Sequence, residues 1–106
     1  MAELDDDACL DIRIRHEDDA YVLHLAGDID LSTAPKLREA VAGAATVPPT
    51  PVTLDLANVT FMDSSGLSVL LELAASPAPL VIRSPSDTVR RVVQITGVAD
   101  TLGMQP

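Results

Sequence analysis

The chain has 106 residues, 47% of them hydrophobic, which is enough for one domain with a single core and too short for two. Its formal charge of −9 argues against a nucleic acid partner, because a phosphate backbone would be repelled. Tyr21 and Phe61 are the only aromatic residues, so stacking on single-stranded bases is also disfavoured. Proteins or small molecules are the expected partners.

The cysteine count and the N-terminus predict the compartment. Cys9 is the only cysteine, so no internal disulfide forms, which suits a reducing environment. The first seven residues are acidic, unlike a signal peptide, and no apolar run approaches the ~18 residues of a membrane span. We therefore expect a cytoplasmic protein without membrane insertion, with residues 1–8 as a flexible acidic N-terminus and residues 9–106 as the domain.

Two runs of alternating apolar and polar residues open the domain and predict an antiparallel hairpin. The apolar positions are Leu10, Ile12 and Ile14 in the first strand, and Tyr21, Leu23 and Leu25 in the second. The acidic segment 17–19 makes the turn, and Gly27 closes the pair.

A helical period follows the hairpin. Ser32 or Thr33 can cap this first helix, and Pro35 fits its first turn. Its apolar positions are Leu37, Ala40, Val41 and Ala44. Three prolines between residues 46 and 51 end it.

The second half of the chain alternates strands and helices. A third strand is predicted over 52–56, a short loop over 58–63, and a second helix with its apolar stripe at Leu67, Leu70, Leu71 and Ala74. Residues 80–83 form a fourth strand, and a third helix ends near Gly97. The order is β-β-α-β-α-β-α.

The alternation in the strands predicts how the layers stack. Strands separated by single helices should be parallel, whereas the opening hairpin is antiparallel. Each alternating strand also carries polar residues on its second face, so the helices should cover mainly one face. Those polar residues are Arg13, Arg15, His24, Thr53, Asp55 and Arg83. The fold class is α/β, with a mixed four-stranded sheet.

One segment carries the chemistry, and it reads Phe61-Met62-Asp63-Ser64-Ser65-Gly66-Leu67. It places Asp63 or Ser64 at the N-cap of the second helix, where free backbone N–H groups attract anions. A phosphate on Ser64 would add a charge of about −1.5 to −2 where the helix dipole favours it. A plain helix cap is the alternative interpretation of the same residues.

One face of the second helix favours binding of a protein. Ser64, Ser68 and Glu72 lie four residues apart, with Ser65 and Val69 beside them. This face is small, partly apolar and outside the predicted core stripe. Val69 could equally widen that core stripe, so both interpretations stay open.

Three segments in this order resemble the STAS domain of bacterial anti-sigma-factor antagonists, over residues 20–103. The first is Gly27-Asp28-Ile29-Asp30 with the helix that follows it. The second is the strand at 52–56 leading into residues 61–67. The third runs from Ser84-Pro85-Ser86 through Val89-Arg90-Arg91-Val92 to Thr96-Gly97.

The resemblance implies a partner switch. In that family the unmodified antagonist binds an anti-sigma factor, itself a serine kinase with a histidine-kinase-like ATPase fold, and so frees the sigma factor. The kinase phosphorylates the serine that corresponds to Ser64, and a serine phosphatase resets it. The partner-binding residues that the resemblance and the helix face imply are Asp30, Asp63, Ser65, Gly66, Ser68, Val69 and Glu72. The segment after Leu73 is shorter than is usual in the family, and Ser68 stands where many relatives have glycine.

Other functions have less support in the sequence. No nucleophile elbow, phosphate-binding loop or metal-ligand spacing is present, so we expect no enzyme, no cofactor and no metal. His16 and His24 are expected to be plain surface histidines. The main alternative is a STAS module without phosphorylation, such as the small accessory subunit of a lipid-transport ATPase complex or a scaffold.

Overall fold

The computed structural model describes residues 10–17, 20–44, 51–75 and 80–103. They form four strands and three helices in the predicted order. The elements are β1 (Leu10–Glu17), β2 (Ala20–Ile29), α1 (Ala34–Ala44), β3 (Val52–Met62), α2 (Ser64–Ala74), β4 (Leu80–Arg83) and α3 (Asp87–Thr96). The N-terminal segment 1–8 and the hairpin turn at 18–19 lie outside the described residues.

The four strands make one mixed sheet in the order β1-β2-β3-β4. β1 and β2 pair antiparallel from Leu10 with Gly27 to Glu17 with Ala20. β2 with β3, and β3 with β4, pair in parallel. The predicted mixed four-stranded α/β fold is therefore confirmed.

The core lies between the sheet and the helices. Leu37 of α1, Leu70 of α2 and Val93 of α3 are each at most 1% exposed and belong to one cluster with the strand residues. Leu23 and Leu54, which face each other across β2 and β3, are fully buried in the same cluster. Three helices thus share one core on one face of the sheet.

Four polar residues of the other face, one from each strand, form a network. His24 Nδ1 lies 3.0 Å from Asp55 Oδ2, and Arg83 Nη2 lies 3.5 Å from the same oxygen. Glu17 approaches His24 Nε2 at 3.9 Å and Arg83 Nη1 at 3.8 Å. His24 therefore lies on the polar face, but its ring is partnered, unlike the plain surface histidine that we expected.

The loop predicted at 58–63 is wrong, because β3 continues to Met62. Two register shifts lie between β2 and β3, one between His24 and Ala26 and one between Gly27 and Asp28. At each shift β3 contains one residue more than β2, as in a β-bulge, and the alternation of apolar and polar residues in β3 breaks. The broken alternation is the reason the sequence pattern suggested a loop.

No helix in the described ranges is long and apolar enough to cross a membrane.

Candidate functional site

The candidate site lies where two parallel strands end at the same edge of the sheet. Ile29 at the end of β2 pairs with Met62 at the end of β3. Asp30 and Asp63 are the next residues of the two chain segments. Because parallel strands end side by side, the turn before α1 and the start of α2 leave the sheet together.

Asp63 caps α2. Its backbone is extended (φ −110°, ψ −170°), and its carboxylate accepts a hydrogen bond of 3.0 Å from the backbone N–H of Gly66. Its carbonyl oxygen accepts a 3.0 Å bond from the backbone N–H of Leu67. Of the two predicted capping residues, Asp63 takes the role, which makes Ser64 the first residue of the helix.

Gly66 allows the first turn of α2 to pack directly on β2. The residue is buried, and a Cβ atom there would lie 2.1 Å from the carbonyl oxygen of Ile29 and 2.8 Å from Cγ of Met62. No side chain fits at those distances. The close approach fixes the helix end, and with it the position of Ser64.

The exposed face of α2 contains some, but not all, of the residues that were predicted to bind a partner. Ser64, Ser68 and Glu72 are exposed, and Ser65 is half-buried. Val69 is only 1% exposed and belongs to the core. The sequence predicts Val69 among the partner-binding residues, but its side chain packs into the core cluster with Leu70, and this burial removes it from that surface.

Asp30 organises the turn between β2 and α1. Its Oδ1 accepts hydrogen bonds from the hydroxyl of Ser32 (2.8 Å) and from the backbone N–H groups of Ser32 (3.0 Å) and Thr33 (3.1 Å). The buried Thr33 hydroxyl donates to the carbonyl of Asp28 at 2.9 Å. The Ser32 hydroxyl, followed by the two backbone donors, lowers the pKa of the Asp30 carboxyl below its ordinary value.

An ion pair joins α1 to α2 beside the exposed stripe. Arg38 Nε lies 2.8 Å from Glu72 Oε2, and Nη2 lies 3.1 Å from Oε1, so the contact is bidentate. These hydrogen bonds raise the pKa of Arg38 and lower the pKa of Glu72. Glu72, predicted to bind a partner, is already engaged within the chain.

Two exposed apolar residues near the site were missed by the sequence interpretation. Leu31, in the turn after Asp30, is 75% exposed, and Phe61, two residues before Asp63, is 47% exposed. The two residues lie on the chain segments that end at this edge of the sheet, and exposed apolar surface at one edge can contribute to a protein interaction surface. The available signal was a leucine inside an otherwise polar turn.

The start of α2 has the donor arrangement that attracts anions, and two carboxylates, Asp30 and Asp63, follow the strands at the same edge. The first N–H groups of a helix have no partner within the helix, and Asp63 satisfies that of Gly66. Within the described residues, no three metal-ligating side chains converge. A cavity of about 410 Å³ lies elsewhere, over β1 and β2, and contains none of the predicted site residues.

A mixed sheet with three helices against one face, and a helix N-terminus exposed at the end of two parallel strands, define a STAS domain. The family model described as "Mlab, STAS domain" matches residues 12–106. The chain belongs to the STAS-domain family.

Three anti-sigma-factor antagonists are similar to this chain over most of its length. The anti-sigma-B factor antagonist of Listeria monocytogenes is 33% identical over 98 residues, covering 88% of this chain and 86% of that protein. The crystal structure of an anti-sigma factor antagonist from Mycobacterium paratuberculosis matches with a TM-score of 0.77 at 28% identity, covering 92% of this chain and 86% of that one. The anti-sigma factor antagonist SpoIIAA in its unphosphorylated form matches with a TM-score of 0.63 at 25% identity, covering 85% and 84%.

Proposed function

We propose that this chain is an anti-sigma-factor antagonist whose binding to an anti-sigma factor is switched off by phosphorylation of Ser64. The partner is a serine kinase with a histidine-kinase-like ATPase fold, and a serine phosphatase restores the unmodified form. The observation that carries the proposal is that Ser64 is exposed and is the first residue of α2, directly after its capping residue Asp63.

The surroundings of Ser64 support docking of a protein. Leu31 and Phe61 supply apolar surface on the two chain segments that end at this edge of the sheet. Ser68 continues the exposed face along α2. An apolar centre with a polar rim is the usual composition of a protein interface.

Electrostatic repulsion is large enough to change the binding affinity substantially without any refolding of the domain. Two unit charges ~4 Å apart near a protein surface interact by about 4 kcal/mol before screening by salt, and about 1.4 kcal/mol is tenfold in affinity. A phosphate at Ser64 would stand among Asp30, Asp63 and any carboxylate of the partner. Binding would weaken while the helix dipole accommodates the phosphate on the free domain.

The test is phosphorylation by the cognate anti-sigma factor with ATP and Mg²⁺, read by mass spectrometry of peptides. We expect one phosphate on Ser64 in the parent protein and in the control Ser65→Ala, and none in Ser64→Ala. Phosphate on Ser65 or Thr60 in Ser64→Ala would show that the site is wrong.

A binding measurement completes the test. The phosphorylated protein should bind the anti-sigma factor at least tenfold more weakly than the parent, and Ser64→Ala should bind like the parent even after incubation with ATP. Equal affinity of the phosphorylated and unmodified forms would instead favour a STAS module that uses no phosphorylation.

A further inference from the structure

The two basic residues of α1 point in different directions. Lys36 donates from Nζ to the carbonyl oxygen of Leu10 on β1, whereas Arg38 reaches Glu72 on α2. α2 itself contains no lysine or arginine. Arg38 is therefore the only cation that the described residues of α1 and α2 present along the side where the two helices meet.

Helix geometry puts this cation near Ser64. Glu72 follows Ser64 by eight residues, which is ~12 Å along the axis at 1.5 Å per residue. Helical side chains lean toward the N-terminus, so the Glu72 carboxylate covers the turn that contains Ser68. The guanidinium bound to that carboxylate is thus about 7 Å along the axis from the level of Ser64.

We propose that Arg38 is the intramolecular counter-ion of phosphorylated Ser64. On phosphorylation, Arg38 would break its ion pair with Glu72 and bind the phosphate instead. This inference rests on the proposed phosphorylation of Ser64. A phosphate offers up to two negative charges and three acceptor oxygens, whereas a carboxylate offers one charge and two oxygens. The Arg38–Glu72 pair is also about half exposed on both sides, where ion pairs exchange at little cost.

The exchange would change the docking face in two ways. Phosphate and guanidinium would come together at the start of α2, and Glu72 would be released as a free carboxylate two turns further along. The bridge between α1 and α2 would move toward the helix N-termini. Phosphorylation would then alter the charge pattern along the whole exposed stripe and not only at Ser64.

The test installs phosphoserine at position 64 during translation, so that no kinase is needed, and follows the phosphate by ³¹P NMR as a function of pH. The second pKa of a phosphoserine is ordinarily about 6. Arg38 should lower it, so Arg38→Gln should raise the titration midpoint by about half a unit relative to the phosphorylated parent. Glu72→Gln frees Arg38 and should shift the midpoint in the opposite direction.

The matched control is Arg90→Gln, which removes one positive charge from the exposed surface of α3. Its midpoint should stay close to that of the parent. Equal midpoints for Arg38→Gln and Arg90→Gln would overturn the proposed contact. Because neither the kinase nor the partner takes part, this result is independent of the phosphorylation and binding tests of the proposed function.

Discussion

Gly66 packs so closely against the carbonyl oxygen of Ile29 that a Cβ atom on Gly66 would lie 2.1 Å from that oxygen. The contact seats the first turn of α2 on the end of β2, although α2 follows β3 in the chain. The position of Ser64 therefore depends on a strand that precedes it by more than 30 residues.

Gly66→Ala should destabilise the domain by about 1–3 kcal/mol, the range for overpacked sites, because backbone atoms of Ile29, and not only the Met62 side chain, must move. Urea unfolding followed by circular dichroism measures the change. Gly43→Ala is the control, since Gly43 lies in α1 with nothing within 4 Å of the added Cβ. That variant should keep or slightly increase stability, and equal losses in both would contradict the steric account.

Val69→Ala should cost about 2 kcal/mol of unfolding free energy, because it removes two buried methyl groups and leaves a cavity. Ser68→Ala, at the adjacent exposed position, should change stability by less than about 0.5 kcal/mol. The same urea experiment measures both. A stable Val69→Ala would place that side chain back on the surface.

Asp30 gives the domain a pH dependence whose sign follows from its lowered pKa. Because the folded-state pKa lies below the ordinary value of 3.8, the unfolded chain takes up the proton first as the pH falls. The stabilisation is therefore complete above pH 3.8 and is lost as the pH drops through the folded-state pKa.

Asp30→Asn should remove this part of the dependence. Its urea midpoint should fall less than that of the parent between pH 5 and pH 3, and Ser32→Ala, which removes the strongest donor, should lie between the two. Parallel pH profiles for the parent and Asp30→Asn would show that the turn does not depend on the charge.

Leu31 and Phe61 should contribute to partner affinity without stabilising the fold. Leu31→Ser combined with Phe61→Ser should weaken binding to the anti-sigma factor by about tenfold or more, as truncation of central apolar contacts does. Isothermal titration calorimetry measures the change, with a urea unfolding curve to verify the fold. Ile95→Ser on α3, where the side chain is 78% exposed, should leave affinity unchanged.

Local patterns in the sequence predicted the order of the elements, because the apolar period changes clearly between strands and helices. The same change of period placed the cap of α2 at Asp63 or Ser64 and positions 64, 68 and 72 outside the core stripe. The ion pair of Arg38 with Glu72 was not predictable, since the two residues are 34 positions apart and meet only when α1 and α2 pack together.

Two further differences have physical causes. The position of Val69 in the sequence was compatible with both the core stripe and the exposed face of α2, and only the packing of the helix on the sheet decides between them. Ile14, predicted on the buried side of β1, is 51% exposed because β1 is an edge strand. The alternation of apolar and polar residues predicts which face of the sheet a side chain lies on. Whether that side chain is buried depends on whether a helix packs over it.

The two register shifts in β3 limit which changes of length the strand tolerates. Buried positions follow a spacing of two up to Leu56 and then a spacing of three, at Val59 and Met62. Deleting one residue at either shift would turn a spacing of three into a spacing of two and leave the later residues on the same faces, whereas a deletion within residues 52–56 would exchange inside and outside for the residues that follow. Homologous chains should therefore differ in length at the two shifts rather than within residues 52–56, so that Met62 stays inward and the serine beyond it stays accessible.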